Sequence, residues 1–269
     1  MRAILFLVCL IFNNQTAAVN YTKLSTGYER DSLSYKSMYY FSNWCKEFVY
    51  IQWNLFSVDS IKVITAALPF YLSSRMIDEE LHAHFYDREN HKNRRQIPSG
   101  FVNAIEKGSF AAVLFCGSFC IWSPNYHVRT VSRMFTMGVV SGLYAKDLIK
   151  CAKTNVNLRP WNEHFSKHKR AHGGFPSGHM FEVSCLATTY GLEFGKRAWI
   201  PLGLFTGLVF AVSVNANRHY ISQVFAGAAL GAIYGIAIHK AIAMSEERLW
   251  NVEVNCSREK TEIGVSRRF

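Results

Sequence analysis

A chain of 269 residues that is 49% hydrophobic can bury one large core, and with no internal repeat and no Pro- or Gly-rich linker it reads as one domain with tails. Its seven cysteines form no dense framework, which excludes a small disulfide-held scaffold. The formal charge of +11 and pI near 9.4 ask for an anionic partner, and nucleic acid, lipid headgroups and small phosphorylated molecules all qualify until the charges are located.

Residues 1–18 hold Arg2, the apolar run "AILFLVCLIF", polar "NNQT" and small "AA", the layout of a secretory signal peptide with cleavage expected near Ala18. An uncleaved anchor helix is the alternative, and in both cases the chain is exported or membrane-inserted. Residues 19–43 are polar and read as irregular. The stretch 44–56, "WCKEFVYIQWNLF", reads as an aromatic-rich amphipathic helix able to lie on a membrane surface.

Six apolar segments follow, near 61–74, 110–122, 134–149, 180–194, 199–214 and 220–238, and all have helical rather than alternating patterns. Three windows, 108–126, 198–217 and 220–238, carry no charge and are long enough to cross the roughly 30 Å of bilayer hydrocarbon. The others carry Lys62, then Lys146 and Asp147, then Glu182 and Glu193, so they can span only with those groups facing an interior or an interface. The mean hydropathy of +0.02 is low for six spans. A cleaved signal followed by three spans would also leave the loop after the third helix on the cytoplasmic side. An even number of spans before it, or a bundle exported whole, would return it outside. The mixed-charge stretch 75–96, with His82, His84 and His91, reads as a loop without assigned function. The expected fold is all-α, a bundle of about six core helices over 44–243, membrane-embedded or membrane-associated, with a charged and unstructured tail over 244–269.

Chemistry concentrates in the second half. In "GGFPSGHM", residues 173–180, Pro176, Ser177 and Gly178 favour a turn, so His179 stands in the first turn of the helix that follows. Backbone N–H groups and the dipole at a helix start favour an anion there. "KTNVNLRPW" supplies Lys153 and Arg159 as fixed positive charge, and arginine's planar fork suits phosphate. "NRHYISQVFAGAALG" places His219 at another helix start, with Arg218 before it and Gln223 one turn on. Two histidines and cations converging at helix ends make a phosphoryl-transfer constellation, with one histidine attacking phosphorus and the other protonating the leaving oxygen.

These three stretches, in this order over roughly 130–240, resemble the type 2 phosphatidic acid phosphatase and vanadium haloperoxidase superfamily, whose signature is KxxxxxxRP, PSGH and SRxxxxxHxxxD. The resemblance implies that Arg159 grips phosphate, Ser177 and Gly178 contact it, His179 is the general acid and His219 the nucleophile that forms a phosphohistidine. It implies no metal or other cofactor. Three positions depart from the pattern. Strict spacing puts Ala152 at the family lysine, so Lys153 is one residue, about 100° of helix rotation, out of register. Ser213 stands at the second family arginine, with Arg218 nearby in sequence and able instead to contact solvent or headgroups. Gln223 replaces the helper aspartate; its carbonyl can accept from the His219 imidazole and set the tautomer, without a charge to stabilise the cation.

Between the motifs, "WNEHFSKHKRAHGG" adds Lys167, Lys169 and Arg170, with His164, His168 and His172 spaced by four. A zinc site on one helix face is conceivable, but no carboxylate or cysteine completes it and the glycines break helix, so a basic loop over the phosphate pocket is the better reading. Basic residues gathered around a pocket, without a stacking platform or recognition helix, argue against nucleic acid. The sequence thus points to a phosphatase acting on a lipid phosphate monoester or diphosphate, its site on the non-cytoplasmic side, with no protein partner indicated. The alternatives are a soluble exported acid phosphatase of broad specificity and a phosphate- or lipid-binding pseudoenzyme.

Overall fold

Long apolar runs broken by short polar loops give seven helices and two small hairpins in a computed structural model that describes residues 33–87, 89–90, 92–94, 97–160, 172–247, 250–256 and 261–267. The helices are α1 (Leu33–Asn54), α2 (Val58–Phe85), α3 (Ser99–Trp122), α4 (Tyr126–Cys151), α5 (Gly178–Phe194), α6 (Lys196–Asn215) and α7 (Ile221–Glu247). The six expected core helices are all present. Their starts follow local chemistry: Ser57 caps α2 by accepting from the Ser60 amide at 3.3 Å, and Asn125 caps α4 by accepting from the Val128 amide at 3.2 Å. Gly195, at φ +68°, provides the left-handed turn that separates α5 from α6.

Helix α5 is the axis of the bundle, with every residue from Met180 to Gly191 buried. Helix α7 lies against it, and α3, α4 and α6 close around the pair. The two α5 carboxylates face inward as their charge requires. Glu193 meets His239 Nδ1 at 2.7 Å and His127 Nε2 at 3.2 Å, while Glu182 lies at the opposite end, beside His179.

Three departures from the sequence reading come from tertiary contact. The polar stretch 33–43 belongs to helix α1. The mixed-charge loop expected from residue 75 is helical as far as Phe85, because Asp78 and His82 are buried against the loop before α7. It ends in a short antiparallel pair, β1 (Tyr86–Asp87) with β2 (Lys92–Asn93). The tail, read as unstructured, forms an antiparallel hairpin of β3 (Trp250–Cys256) and β4 (Thr261–Arg267), in register from Trp250 opposite Arg267 to Cys256 opposite Thr261. The signal-peptide segment lies outside the described residues.

Among the described residues, α3, α6 and the 221–245 stretch of α7 are long and apolar enough to cross a membrane, and α1 from Trp44 with α2 would make a fourth, bent by 44°. Only 11% of the α3 window and 22% of the α6 window is buried in the protein, against 50% for α7. Helices α3 and α6 therefore turn most of their apolar surface outward, and Trp53 of α1, Phe56 of the turn after it, and Ile61, Leu68, Phe70 and Met76 of α2 are exposed as well. An outward apolar surface of this extent fits hydrocarbon rather than water.

Candidate active site

The candidate site forms where three loops meet at one end of α5. They are 152–160 after α4, 172–177 before α5, and 216–220 between α6 and α7. Asn157, 2% exposed, joins the first two. Its Nδ2 donates to the carbonyls of Lys150 (2.8 Å) and Ala152 (2.6 Å), and its Oδ1 accepts from the amides of Gly173 and Phe175, both at 3.1 Å. The Gly174 amide donates to the Asn157 carbonyl, and a Leu158–His172 bridge extends the pairing. One side chain thus satisfies four backbone groups. Sequence reasoning passed over Asn157, since an asparagine in a loop carries no signal of this kind.

His219 lies in the third loop, 6% exposed. Its Nδ1 is 2.8 Å from the Gly174 carbonyl oxygen. A carbonyl can only accept, so Nδ1 carries the hydrogen and Nε2 keeps its lone pair. Burial, followed by the charges of Arg159 and Lys150, holds the imidazole well below the usual histidine range. Gln223 does not play the part expected of it. Its Oε1 accepts from the Tyr220 amide at 3.2 Å, and its Nε2 donates to the carbonyls of Val156 (3.1 Å) and Leu158 (2.5 Å). It is fully buried and ties the start of α7 to the 152–160 loop, while the Gly174 carbonyl orients His219. Gly174 has to be glycine, because a Cβ there would lie 2.6 Å from the Gln223 amide atoms.

The cations are also arranged differently from the expectation. Lys153 is exposed on the loop. Lys150 is the lysine that turns inward, together with Lys146 one helical turn earlier. A Cβ on Gly178 would meet their Nζ atoms at 3.8 and 3.3 Å respectively, so the glycine leaves room for two ammonium groups at the start of α5. Lys146 also pairs with Asp147 at 2.9 Å. Burial, with the neighbouring charges of Lys146 and Arg159, lowers the Lys150 ammonium to about 8. Spacing could have found the pair, since residues four apart share a helix face. Arg159 is half-buried, and its guanidinium donates to the carbonyls of Arg218 and Gly173, both at 3.2 Å. Ser177 is buried, and its Oγ has no hydrogen-bond partner among the described residues. Three cations, the N-terminus of α5 and this hydroxyl make an anion site.

Arg218 turns to α3, where its Nε meets Glu106 Oε1 at 3.2 Å. Ser213 is buried in α6 and adds no charge; its carbonyl accepts from the Arg218 and His219 amides. His179 is close enough for its charge to act on His219. From α2, Asp78 accepts from the Ser222 amide at 3.0 Å and the Ser222 hydroxyl at 2.5 Å, capping α7, and His82 Nδ1 lies 3.1 Å from Asn217 Oδ1. That contact holds the left-handed Asn217, φ 52°, just before His219. Of the basic segment between the motifs, residues 161–171, with His164, Lys167, His168, Lys169 and Arg170, lie outside the described residues.

No curated protein matches this chain in sequence. Among solved structures it is similar to the crystal structure of a transmembrane PAP2 type phosphatidylglycerolphosphate phosphatase from Bacillus subtilis, at 13% identity and TM-score 0.46, covering 71% of this chain and 96% of that one. The profile of the PAP2 superfamily matches residues 130–247, the stretch that carries α4, the three loops, α5 and α7. Over that stretch the chain is similar to the PAP2 superfamily.

Proposed function

We propose that this protein is a PAP2-type phosphatase that hydrolyses a lipid phosphate monoester or diphosphate, without a metal, through a phosphohistidine on His219. The observation that carries the reading is the His219 imidazole. It is buried, bonded at Nδ1 to the Gly174 carbonyl, kept neutral by its surroundings, and adjoins an anion site of three cations. Its Nε2 lone pair attacks phosphorus while Lys146, Lys150, Arg159 and the α5 amides take up the charge on the non-bridging oxygens. The P–O bond to the alcohol or phosphate leaving group breaks, and His179 delivers the proton that this oxygen needs. Water then attacks the phosphohistidine, His179 accepts its proton, and phosphate leaves with His219 restored. The outward apolar faces of α3 and α6 support a lipid substrate.

The test is phosphate release by purified wild type and His219→Ala on phosphatidic acid, a polyprenyl diphosphate, a lipid A-type phosphate and a soluble aryl phosphate, with EDTA present. Metal-independent turnover that disappears in the variant is the expected result, and preference for one lipid names the substrate. Turnover of the aryl phosphate alone would favour the soluble broad-specificity enzyme. Ser213 at the family arginine motivates a binding-only protein; vanadate binding without turnover of any substrate would establish it and overturn the proposal.

A further inference from the structure

Beside His179 stands a group that none of the three motifs contains. His179 Nδ1 is 3.0 Å from Ser109 Oγ on α3 and 3.5 Å from Glu182 Oε2 one turn along α5, and the Ser109 hydroxyl reaches Glu182 Oε2 at 3.3 Å. The same hydroxyl lies 2.8 Å from the Glu106 carbonyl, so its single proton always has an acceptor and a lone pair stays free for the imidazole. Ser109 is fully buried and the Glu182 side chain is 9% exposed, whereas the His179 ring is 37% exposed. A carboxylate so far from water is costly unless it is bonded, and its hydrogen-bond and ion-pair partners among the described residues are this hydroxyl and this imidazole.

We infer that Glu182 and Ser109 are positioning residues for His179: they hold its Nδ1–H so that Nε2 points at the leaving-group oxygen. The inference rests on the reading of His179 as general acid. The anionic carboxylate and the oriented hydroxyl both select the Nδ1–H form, as a carboxylate does in hydrolytic triads. During bond cleavage the proton on Nε2 moves to the leaving oxygen and the Nδ1 proton stays in place. In the second step Nε2 takes a proton from water, again with Nδ1–H unchanged. The arrangement asks for an anion and a hydroxyl at these positions, not merely for side chains of similar size.

General-acid help matters for a basic alkoxide and little for a good leaving group, which separates this role from a structural one. Wild type, Glu182→Gln, Ser109→Ala, Ser109→Thr and His179→Ala are compared on an alkyl and an aryl phosphate bearing the same hydrocarbon chain. Glu182→Gln and Ser109→Ala are expected to lose roughly tenfold to a hundredfold in kcat/KM on the alkyl ester, the parameter that reports leaving-group departure and not the shared hydrolysis of the phosphohistidine, and this is part of the 10²–10⁴-fold that general acid catalysis supplies. On the aryl ester kcat/KM changes little, and Ser109→Thr, which keeps the hydroxyl, recovers activity. Equal losses on both esters, a rise in KM shared by both, or no loss would overturn the assignment; a shared KM effect would make Glu182 a counter-charge for Lys150. If His179→Ala itself fails to discriminate between the esters, the general-acid reading falls, and this one with it.

Discussion

Lys150 stands where the sequence reading expected the charge of Lys153, three residues later. From the end of α4 it points over Gly178 beside Arg159, while Lys153 is left in solvent. Lys150→Ala is therefore expected to reduce kcat/KM about tenfold to a hundredfold, the scale of one charge-assisted hydrogen bond, and Lys153→Ala to stay within about twofold of wild type. Steady-state kinetics on the preferred substrate checks both. The pH dependence follows from the same residue. Its folded value of about 8 is below that of a free lysine, so the group is charged below that pH and loses its charge as pH rises through it. Anion affinity falls in that direction, and KM rises above about pH 8. Lys150→Arg, whose guanidinium stays charged, flattens the rise. His219 titrates on the acid side of neutrality and contributes no limb there.

At the scale of elements, α5 can carry its histidine only because α7 approaches closely. Gly227, Gly231 and Gly235 form a stripe at four-residue spacing along α7. A Cβ on Gly227 would come within 2.5 Å of the Ser177 carbonyl oxygen, one on Gly231 within 2.5 Å of that of Phe181, and one on Gly235 within 2.6 Å of Thr188 Cβ. Small residues at a helix interface let backbones meet in this way. Gly231→Ala forces the helices apart and is expected to cost about 1–3 kcal/mol. Gly207→Ala on α6, where a Cβ meets nothing within 4 Å, should be neutral or slightly stabilising. Thermal unfolding of the two variants in detergent, side by side, measures the difference. Activity should fall with Gly231→Ala as well, since the stripe continues to Gly227 and the Ser177 turn.

Across the whole molecule, the residues of the site gather at one end of the bundle, while apolar side chains face outward along α1, α2, α3 and α6. Such a chain should remain in the membrane pellet after alkaline carbonate washing; release into the wash would show that it only rests on the surface. Cys151, exposed at the end of α4 next to Lys150, is a native reporter of the side on which the site lies. In a variant keeping Cys151 alone, a membrane-impermeant maleimide is expected to label intact cells if the site faces away from the cytoplasm. Labelling only after permeabilisation would reverse that orientation.

The helices were legible because each is a long run with one dominant environment, and apolar periodicity registers that without knowing the partner. PSGH, RP and His219 were legible because turn chemistry and charge are local. Partner choice was not local. Asn157, Ser109 and Asp78 look like ordinary loop or helix residues until segments distant in sequence meet, and each then bonds polar groups of another segment. The same holds for Gln223, whose amide could serve an imidazole as well as a backbone; the 152–160 loop, folded onto α7, took it for Val156 and Leu158. The choice between Lys150 and Lys153 turned on where α4 stopped and which way its last turn faced. By itself the sequence determined the helical class and the long apolar segments, and it singled out the two candidate histidines. The tertiary structure decided what each histidine contacts and which cations gather beside them, because burial and hydrogen-bond saturation are properties of segments brought together, not of the order in which they are strung.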